Sequence, residues 1–287
     1  MSTLRHHMIE DLQLAALGER TQEAYVRSVR KLAEYYNQSP DRLSEQQLRD
    51  YFLYLKNEKQ FAAGSLKVAF YGIRFFYCHT VPRDWATLRS VRIPKQRTLP
   101  DVLTSDEVQR LIATVRTVHN RTYLWTVYSC GLRLNEGLHL EVGDIDGQRM
   151  MVHVHRGKGA KDRFVILPTT TLAQLRAYWK THRHPRWLFP ALGRSRKEAP
   201  NATQPMGKAS VQGAMRRVVE QVGIRKAISV HSLRHSYASH LIEAGVSIRR
   251  VQQLLGHSSL QTTMVYLHLT EPGEENVRKI IEGLMGR

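Results

Sequence analysis

From residue 5 to residue 79 the apolar positions recur at helical spacing, with no strand-like alternation. In TQEAYVRSVRKLAEYY, Tyr25, Val29, Leu32 and Tyr36 share one face, while Arg27, Arg30 and Lys31 lie on another, and Thr21 reads as the N-cap. A second helix follows Pro40, with Leu43, Leu48, Phe52 and Leu55 as its apolar stripe. A third is expected to open at Ser65, after the turn signal of Ala63 and Gly64, and to run through LKVAFYGIRFFYCHT. These elements predict a small all-helical domain to about residue 95. The periodicity stops between residues 82 and 104, where Pro82, Pro94 and Pro100 forbid a continuous helix. With Arg83, Arg89, Arg92, Lys95 and Arg97 among them, this stretch reads as a basic interdomain linker reaching to about residue 103.

A second domain is expected over 104–287. Thr104 and Glu107 form a T-x-x-E capping signature before VQRLIATV, and helical segments continue through Ser129. In MMVHVHRGKGAKDRFVILP two β-prone runs, Met151 to His155 and Arg163 to Leu167, flank a Gly-rich turn, which predicts a hairpin with Lys158 near its tip. Helical pattern resumes from Thr170 to Lys180, from Gly207 to Val222, and through His231 to Leu269, with residues 184–206 as loop. The expected class is mostly α with a small antiparallel sheet, in two domains.

Charge changes the picture. The chain of 287 residues carries 43 Lys and Arg against 25 Asp and Glu, a net charge of +18. Both parts share the surplus: 16 basic and 10 acidic residues up to residue 100, then 27 and 15. Because each neutralised phosphate releases counterions, a surplus on both domains predicts a protein that holds nucleic acid from two sides. A basic surface for solubility or an acidic protein partner is the bland alternative. Cys78 and Cys130, both in apolar helical contexts, read as two buried thiols in a reducing, cytoplasmic setting. No window approaches the run of roughly 18 apolar residues that a membrane helix needs, and the N-terminus offers no signal-peptide core.

The densest chemistry lies in HSLRHSYASHLIEAGVSIRRVQQLLGHSSLQTTMVYLHL. His231 and His235, at i and i+4, could present two nitrogens to a metal, yet no H-E-x-x-H glutamate or CxxC pair completes a zinc site, and Arg234 puts a fixed cation beside them. Ser232 and Ser236 lack a G-x-S-x-G elbow, and the glycines of RGKGAKDR do not open a helix as a phosphate loop would. No metal, ATP or other cofactor is implied. Arg234 follows His231 by one turn, so a guanidinium fork and an imidazole can converge on one anion, which favours phosphoryl chemistry on DNA.

Five segments then resemble one family in its own order. GLRLNE (131–136) resembles the G-L-R-x-S-E box of tyrosine recombinases of the phage-integrase and Xer type. RGKGAKDR (156–163) resembles their G-K-G-x-K-x-R hairpin, and HSLRH, LLGH and SSLQTTMVYLHL resemble H-x-L-R-H, L-G-H and the closing tyrosine helix. The helical first part is similar to the family's core-binding domain, so the resemblance spans essentially the whole chain.

The resemblance implies a C-shaped two-domain DNA clamp whose nucleophile is Tyr266, forming a 3′-phosphotyrosyl bond without ATP or metal. Arg133 and Arg234 would clamp the non-bridging phosphate oxygens, Lys158 would protonate the 5′-oxygen, His231 would act as base toward the tyrosine hydroxyl, and His257 would hydrogen-bond the phosphate. Tyr237 and Lys161 are the competing assignments for nucleophile and acid. Glu136 is expected to support the Arg133 loop, His235 to orient the site if it acts at all, and His240 to be structural. Asn135 stands where the family usually has serine, which puts one local contact in doubt. The implied assembly is a homotetramer on two double-stranded DNA segments, a dimer per site; the tail after Tyr266 either packs at home as core or, the favoured reading, docks on a neighbouring protomer as family tails do. Integration or transposon-linked exchange, Xer-like dimer resolution, a catalytically silent DNA-binding regulator and a type IB topoisomerase are the readings to separate.

Overall fold

Helices make up most of the computed structural model, which describes residues 3–93, 99–155, 162–193, 199–268 and 281–282. The chain divides into two compact units, residues 1–98 and 99–287, each with its own core. In the first unit, α1 (Thr3–Leu14), α2 (Glu19–Tyr36), α3 (Glu45–Asn57) and α4 (Ala63–Phe75) bury the stripes read from sequence: Val29, Leu32, Leu43, Leu48, Phe52 and Leu55 are all inside. Ser44 caps α3 reciprocally with Gln47, each side chain accepting from the other's backbone N–H.

Three local expectations change. α2 starts at Glu19, not after Thr21, because the Gly18 carbonyl already accepts from the Thr21 and Gln22 amides. α4 opens at Ala63, so Gly64 lies inside its first turn rather than in a turn before it. Cys78 is exposed rather than buried: α4 continues as one π-helical turn, Phe76–Thr80, whose altered register sends Phe76 and Tyr77 inward and Cys78 outward. The stretch read as linker also folds in part. Leu88, in α5 (Thr87–Ser90), is buried in the first core with Trp85, Val91 and Ile93 against it, and the Thr87 amide and hydroxyl donate to Glu45. Lys95 and Arg97 lie outside the described residues.

The second unit starts with the expected cap: Thr104 and Glu107 exchange both capping hydrogen bonds at the head of α6 (Ser105–Thr114). After α7 (Val118–Ser129) and α8 (Leu134–Leu138) comes a three-stranded antiparallel sheet, β1 (Ile145–Asp146), β2 (Met151–Val154) and β3 (Arg163–Ile166), in that order. Val152 pairs with Val165, and these two with Val154 face the core, leaving His153 and His155 on the opposite face. β1 carries no sequence signal, since two residues are too few to show alternation. The remaining helices are α9 (Thr169–Trp179), α10 (Lys208–Val222), α11 (Val230–Glu243), α12 (Ile248–Leu255) and α13 (Leu260–Met264), the last running into a 3₁₀ turn at Val265–His268. α11 packs on α7, and His240 of α11 bridges the Tyr128 hydroxyl and the Leu103 carbonyl, a structural task. Cys130 is buried, and burial pushes its thiol up to about 12, which leaves it inert. No described helix is long and apolar enough to cross a membrane.

α2 and α4 cross closely at Gly72, where an added Cβ would stand 2.8 Å from the Tyr25 Cα and 3.2 Å from its carbonyl oxygen. Backbone cannot give way as a side chain tip can. Gly72→Ala is therefore expected to destabilise the full chain by about 1–3 kcal/mol, read as an earlier urea midpoint for the first unit. An unchanged midpoint would show that the two helices separate freely.

Candidate active site

The G-L-R-L-N-E segment makes a tight passage from α7 to α8. Gly131 sits in the left-handed region at φ +60°, and a Cβ there would stand 2.5 Å from the Tyr237 ring. Arg133 follows in extended backbone, and its amide donates to Glu136 Oε2 at 2.9 Å while its Nη1 donates to Oε1 at 2.6 Å. Arg163, the first residue of β3, grips the same carboxylate bidentately at 2.9 and 2.7 Å. Arg234 approaches Oε2 at 3.8 Å. Glu136 is thus one buried anion under three guanidinia. Burial alone would raise its carboxyl, but the hydrogen bonds and charges of Arg163, helped by Arg133, hold it down at about 2.

A second set of acceptors is the end of α12. Gly256 closes that helix in the left-handed region at φ +62°, where a Cβ would stand 2.7 Å from Arg163 Cδ. Carbonyls at a helix C-terminus have no partners within the helix and carry the negative end of its dipole. Here cations take them: Leu254 accepts from Arg163 Nε at 3.2 Å, Leu255 from Arg234 Nη2, and Gly256 from Arg133 Nη2 at 3.2 Å. Arg234 Nη1 donates in addition to Gly131 at 2.6 Å. Arg234 is only 1% exposed, and burial, then Arg133, depress its guanidinium, which nonetheless keeps its charge as arginine does in proteins.

Tyr266 lies in the 3₁₀ turn after α13, 2% exposed, packed with Ala238, Val251 and Leu255. Its hydroxyl is 2.8 Å from His235 Nδ1. His231, one turn earlier on α11, meets His235 edge to face at 4.6 Å between ring centres. His257, just beyond Gly256, stacks toward the Tyr266 ring at 6.4 Å, and its Nδ1 is 2.9 Å from the Thr263 hydroxyl. Burial and the neighbouring cations hold all three imidazoles below their usual range: His235 falls to about 4 through burial, His231 and Arg234, and His257 to about 3 through burial, Arg234 and Arg133. Burial raises the Tyr266 hydroxyl, while Arg234 and Arg133 oppose the rise. At neutral pH the site therefore holds fixed cations, neutral histidines and a protonated tyrosine.

Of the residues singled out from sequence, Arg133, His231, Arg234, His257 and Tyr266 converge here. Lys158 and Lys161 lie outside the described residues. Two expectations shift: the imidazole on the tyrosine hydroxyl is that of His235, not His231, and Arg234 is buried behind the site rather than open to it. Tyr237 flanks Gly131 as a partly buried ring, and the hydroxyl that meets His235 is that of Tyr266. Arg163 was missed, although it ends the RGKGAKDR segment; only the fold brings it to Glu136, 27 residues earlier. The Asn135 side-chain oxygen is buried with no hydrogen-bond partner among the described residues.

Residues 101–272 match the phage integrase family, and residues 4–87 match its N-terminal SAM-like domain. The chain belongs to the phage integrase family. Its members are tyrosine recombinases, which cleave and rejoin DNA through a tyrosine nucleophile. An integrase/recombinase of Sinorhizobium fredii, y4qK, is 39% identical over 94% of this chain and 85% of its own length. The tyrosine recombinase XerA of Pyrococcus horikoshii is 33% identical over 69% of this chain and 68% of its own. In structure, the XerH site-specific recombinase bound to a palindromic difH substrate aligns with a TM-score of 0.71 at 20% identity, over 93% of this chain and 81% of that one, a likeness of fold.

Two outcomes follow for this recombinase. Glu136→Gln leaves buried Arg234 and the largely buried Arg163 and Arg133 without a counter-charge, so it is expected to cost about 3–5 kcal/mol in urea unfolding of the second unit; a loss under about 1 kcal/mol would mean that the carbonyls suffice. The histidines give the second. Their folded values lie below the usual 6.5, so the unfolded chain takes up protons first, and their stabilisation is complete above pH 6.5 and lost as pH falls toward about 4 for His235 and about 3 for His257. The unfolding midpoint should drop across that window, and less steeply in His235→Gln; parallel profiles would remove His235 from the account.

Proposed function

We propose that the chain is a site-specific recombinase acting on double-stranded DNA, with Tyr266 as nucleophile and Arg133, Arg234, His235, His231 and His257 around the scissile phosphate. The observation that carries this reading is the Tyr266 hydroxyl, hydrogen-bonded to a neutral imidazole beside two guanidinia pinned by one carboxylate. The tyrosine oxygen attacks phosphorus, the bond to the 5′-oxygen breaks, and a 3′-phosphotyrosyl bond stores the energy needed for rejoining. His235 Nδ1 is placed to take the phenolic proton as attack begins, and His231, against the His235 ring, orients it. Arg133, 22% exposed on its side chain, offers its fork to the non-bridging oxygens, while Arg234 supplies a fixed charge from behind as the pentacoordinate transition state gains negative charge. His257, with Nδ1 engaged by Thr263, has Nε2 for a phosphate oxygen. Lys158 is the proposed acid for the 5′-oxygen, by resemblance alone. Tyr266 is 2% exposed, so a phosphate reaches its hydroxyl only where the surrounding side chains part while the His235 contact is kept.

The remaining assignments belong to the same proposal. The first unit is the core-binding domain and the second the catalytic domain, and both bind DNA. Four protomers act on two DNA segments, a dimer per site, in the cytoplasm. The partners are DNA and further copies of the chain, and the chemistry needs no cofactor. Integration or transposon-linked exchange is favoured over Xer-like dimer resolution, since the two Sinorhizobium fredii relatives named integrase/recombinase match more of the chain at higher identity than the XerA proteins do.

Nicked duplexes drawn from a sequence library trap the covalent stage, because the cut strand end diffuses away. Wild type is expected to form a denaturant-resistant protein–DNA adduct on a narrow set of sequences, and Tyr266→Phe none. His235→Ala should slow adduct formation by roughly 10²–10⁴-fold, more than His231→Ala does. An adduct in Tyr266→Phe would move the nucleophile elsewhere. Capture without sequence preference, together with relaxation of any plasmid, would favour a type IB topoisomerase.

A further inference from the structure

The outer face of the three-stranded sheet holds a group of side chains that strand transfer does not use. His153 and His155, two residues apart on and just beyond β2, point the same way because Val152 and Val154 take the core side. Their rings lie 3.9 Å apart between centres, closer than the usual 4.5–7 Å of ring pairs, and His153 stacks on Phe164 of β3. Asp144, in the 3₁₀ turn Val142–Asp144 before β1, puts Oδ1 2.7 Å from His155 Nε2. Its Oδ2 accepts from the Glu141 amide at 2.8 Å, which fixes the carboxylate's direction. Asp162, just before β3, lies with Oδ2 3.2 Å from His153 Nε2 and 3.4 Å from His155 Nδ1. One donor atom each from Asp144, His153 and His155 can be drawn within 4.8 Å of one another.

We propose that Asp144, His153 and His155 form a site for a borderline divalent transition-metal cation, such as Zn²⁺, with Asp162 as fourth ligand or as the acceptor that orients an imidazole. Two imidazoles and a carboxylate are the donor set that Zn²⁺, Co²⁺ and Ni²⁺ prefer over Mg²⁺ or Ca²⁺, which want oxygen. Metal–donor distances near 2.0–2.1 Å put tetrahedral donors about 3.3 Å apart, so the three must close by roughly an ångström, a matter of side-chain rotation. The geometry favours this: Asp144 is 7% exposed and already aimed, whereas the His155 side chain is 52% exposed, which leaves the cation a way in and a free position for water. The charges agree, since two carboxylates meet two imidazoles that bind metal in their neutral form, in a chain otherwise at +18. The bound cation would tie the turn before β1, the end of β2 and the start of β3 together. His155 stands three residues before Lys158 in the sequence, so the staple lies at the base of the hairpin segment to which the acid is assigned. The site is independent of the proposed roles at Tyr266.

The test uses the full chain, stripped with chelator and titrated with Zn²⁺ against a chromophoric indicator, and separately with Co²⁺ while the visible absorption is followed. Wild type is expected to bind one cation per chain, to give a Co²⁺ band of tetrahedral or five-coordinate type, and to rise in Tm with added Zn²⁺. His153→Ala and His155→Ala should each weaken binding at least ten-fold, and the double variant should lose both the Co²⁺ band and the Tm rise while keeping its circular dichroism spectrum. His6→Ala, whose histidine pairs with Glu10 on the exposed side of α1, should bind as wild type does. No stoichiometric binding by wild type, or binding and a Co²⁺ band that survive in the double variant, would overturn the site and leave the group as a hydrogen-bonded clasp. Either result leaves the adduct experiment at Tyr266 unaffected.

Discussion

Everything at the centre of the second unit depends on keeping three guanidinia close together inside the protein. At such separations like charges repel strongly wherever water is thin, and each must also satisfy its N–H donors. The fold meets both demands with one carboxylate and one helix end. Glu136 takes Arg133 and Arg163 directly and Arg234 at longer range, while the last carbonyls of α12 take all three. The two left-handed glycines, Gly131 and Gly256, belong to the same device. Each turns a carbonyl onto a guanidinium in a backbone conformation that side chains disfavour, and each has a ring or an arginine where its Cβ would be.

That cation cluster decides the state of every other group around Tyr266. Imidazoles buried beside fixed positive charge lose their protons, so His235 and His257 enter neutral, able to accept a proton or to donate through one tautomer. The same charges oppose the effect of burial on the tyrosine hydroxyl. Three guanidinia against one carboxylate leave net positive charge, which under the proposed function an entering phosphodiester balances. The site is thus prepared for negative charge before substrate arrives, which is where preorganisation is most effective in catalysis. Tyr266 is held in a small apolar cluster against α11 and α12, tied to His235 and shielded from water.

Much of the fold was legible because helices announce themselves by period. The apolar stripes of α2 and α3, the Thr104–Glu107 cap and the 151–154 and 163–166 strands follow from residues within a few positions of one another. The misread details are short-range backbone choices that side-chain periodicity does not report: Gly18 rather than Thr21 heading α2, and a π turn that turns Cys78 outward. Within the site, Arg133, Arg234, His257 and Tyr266 stood out through their motifs, whereas Arg163 had no visible partner until the hairpin met α8. The exchange of His231 for His235 at the tyrosine hydroxyl was equally hidden, because both lie on one face of α11 and only the seat of Tyr266 chooses between them.

The sequence by itself determined the class of fold, the positions of the helices and hairpin, the basic character of both parts and the set of residues that could meet a phosphate. Those are consequences of composition and of patterns that repeat within one or two turns. Tertiary structure alone decided which carboxylate neutralises which cations, which histidine touches the Tyr266 hydroxyl, that Arg234 is buried, and that Asp144 meets His153 and His155. These depend on side chains from separate elements reaching common points within a few ångströms, and no local pattern encodes such distances.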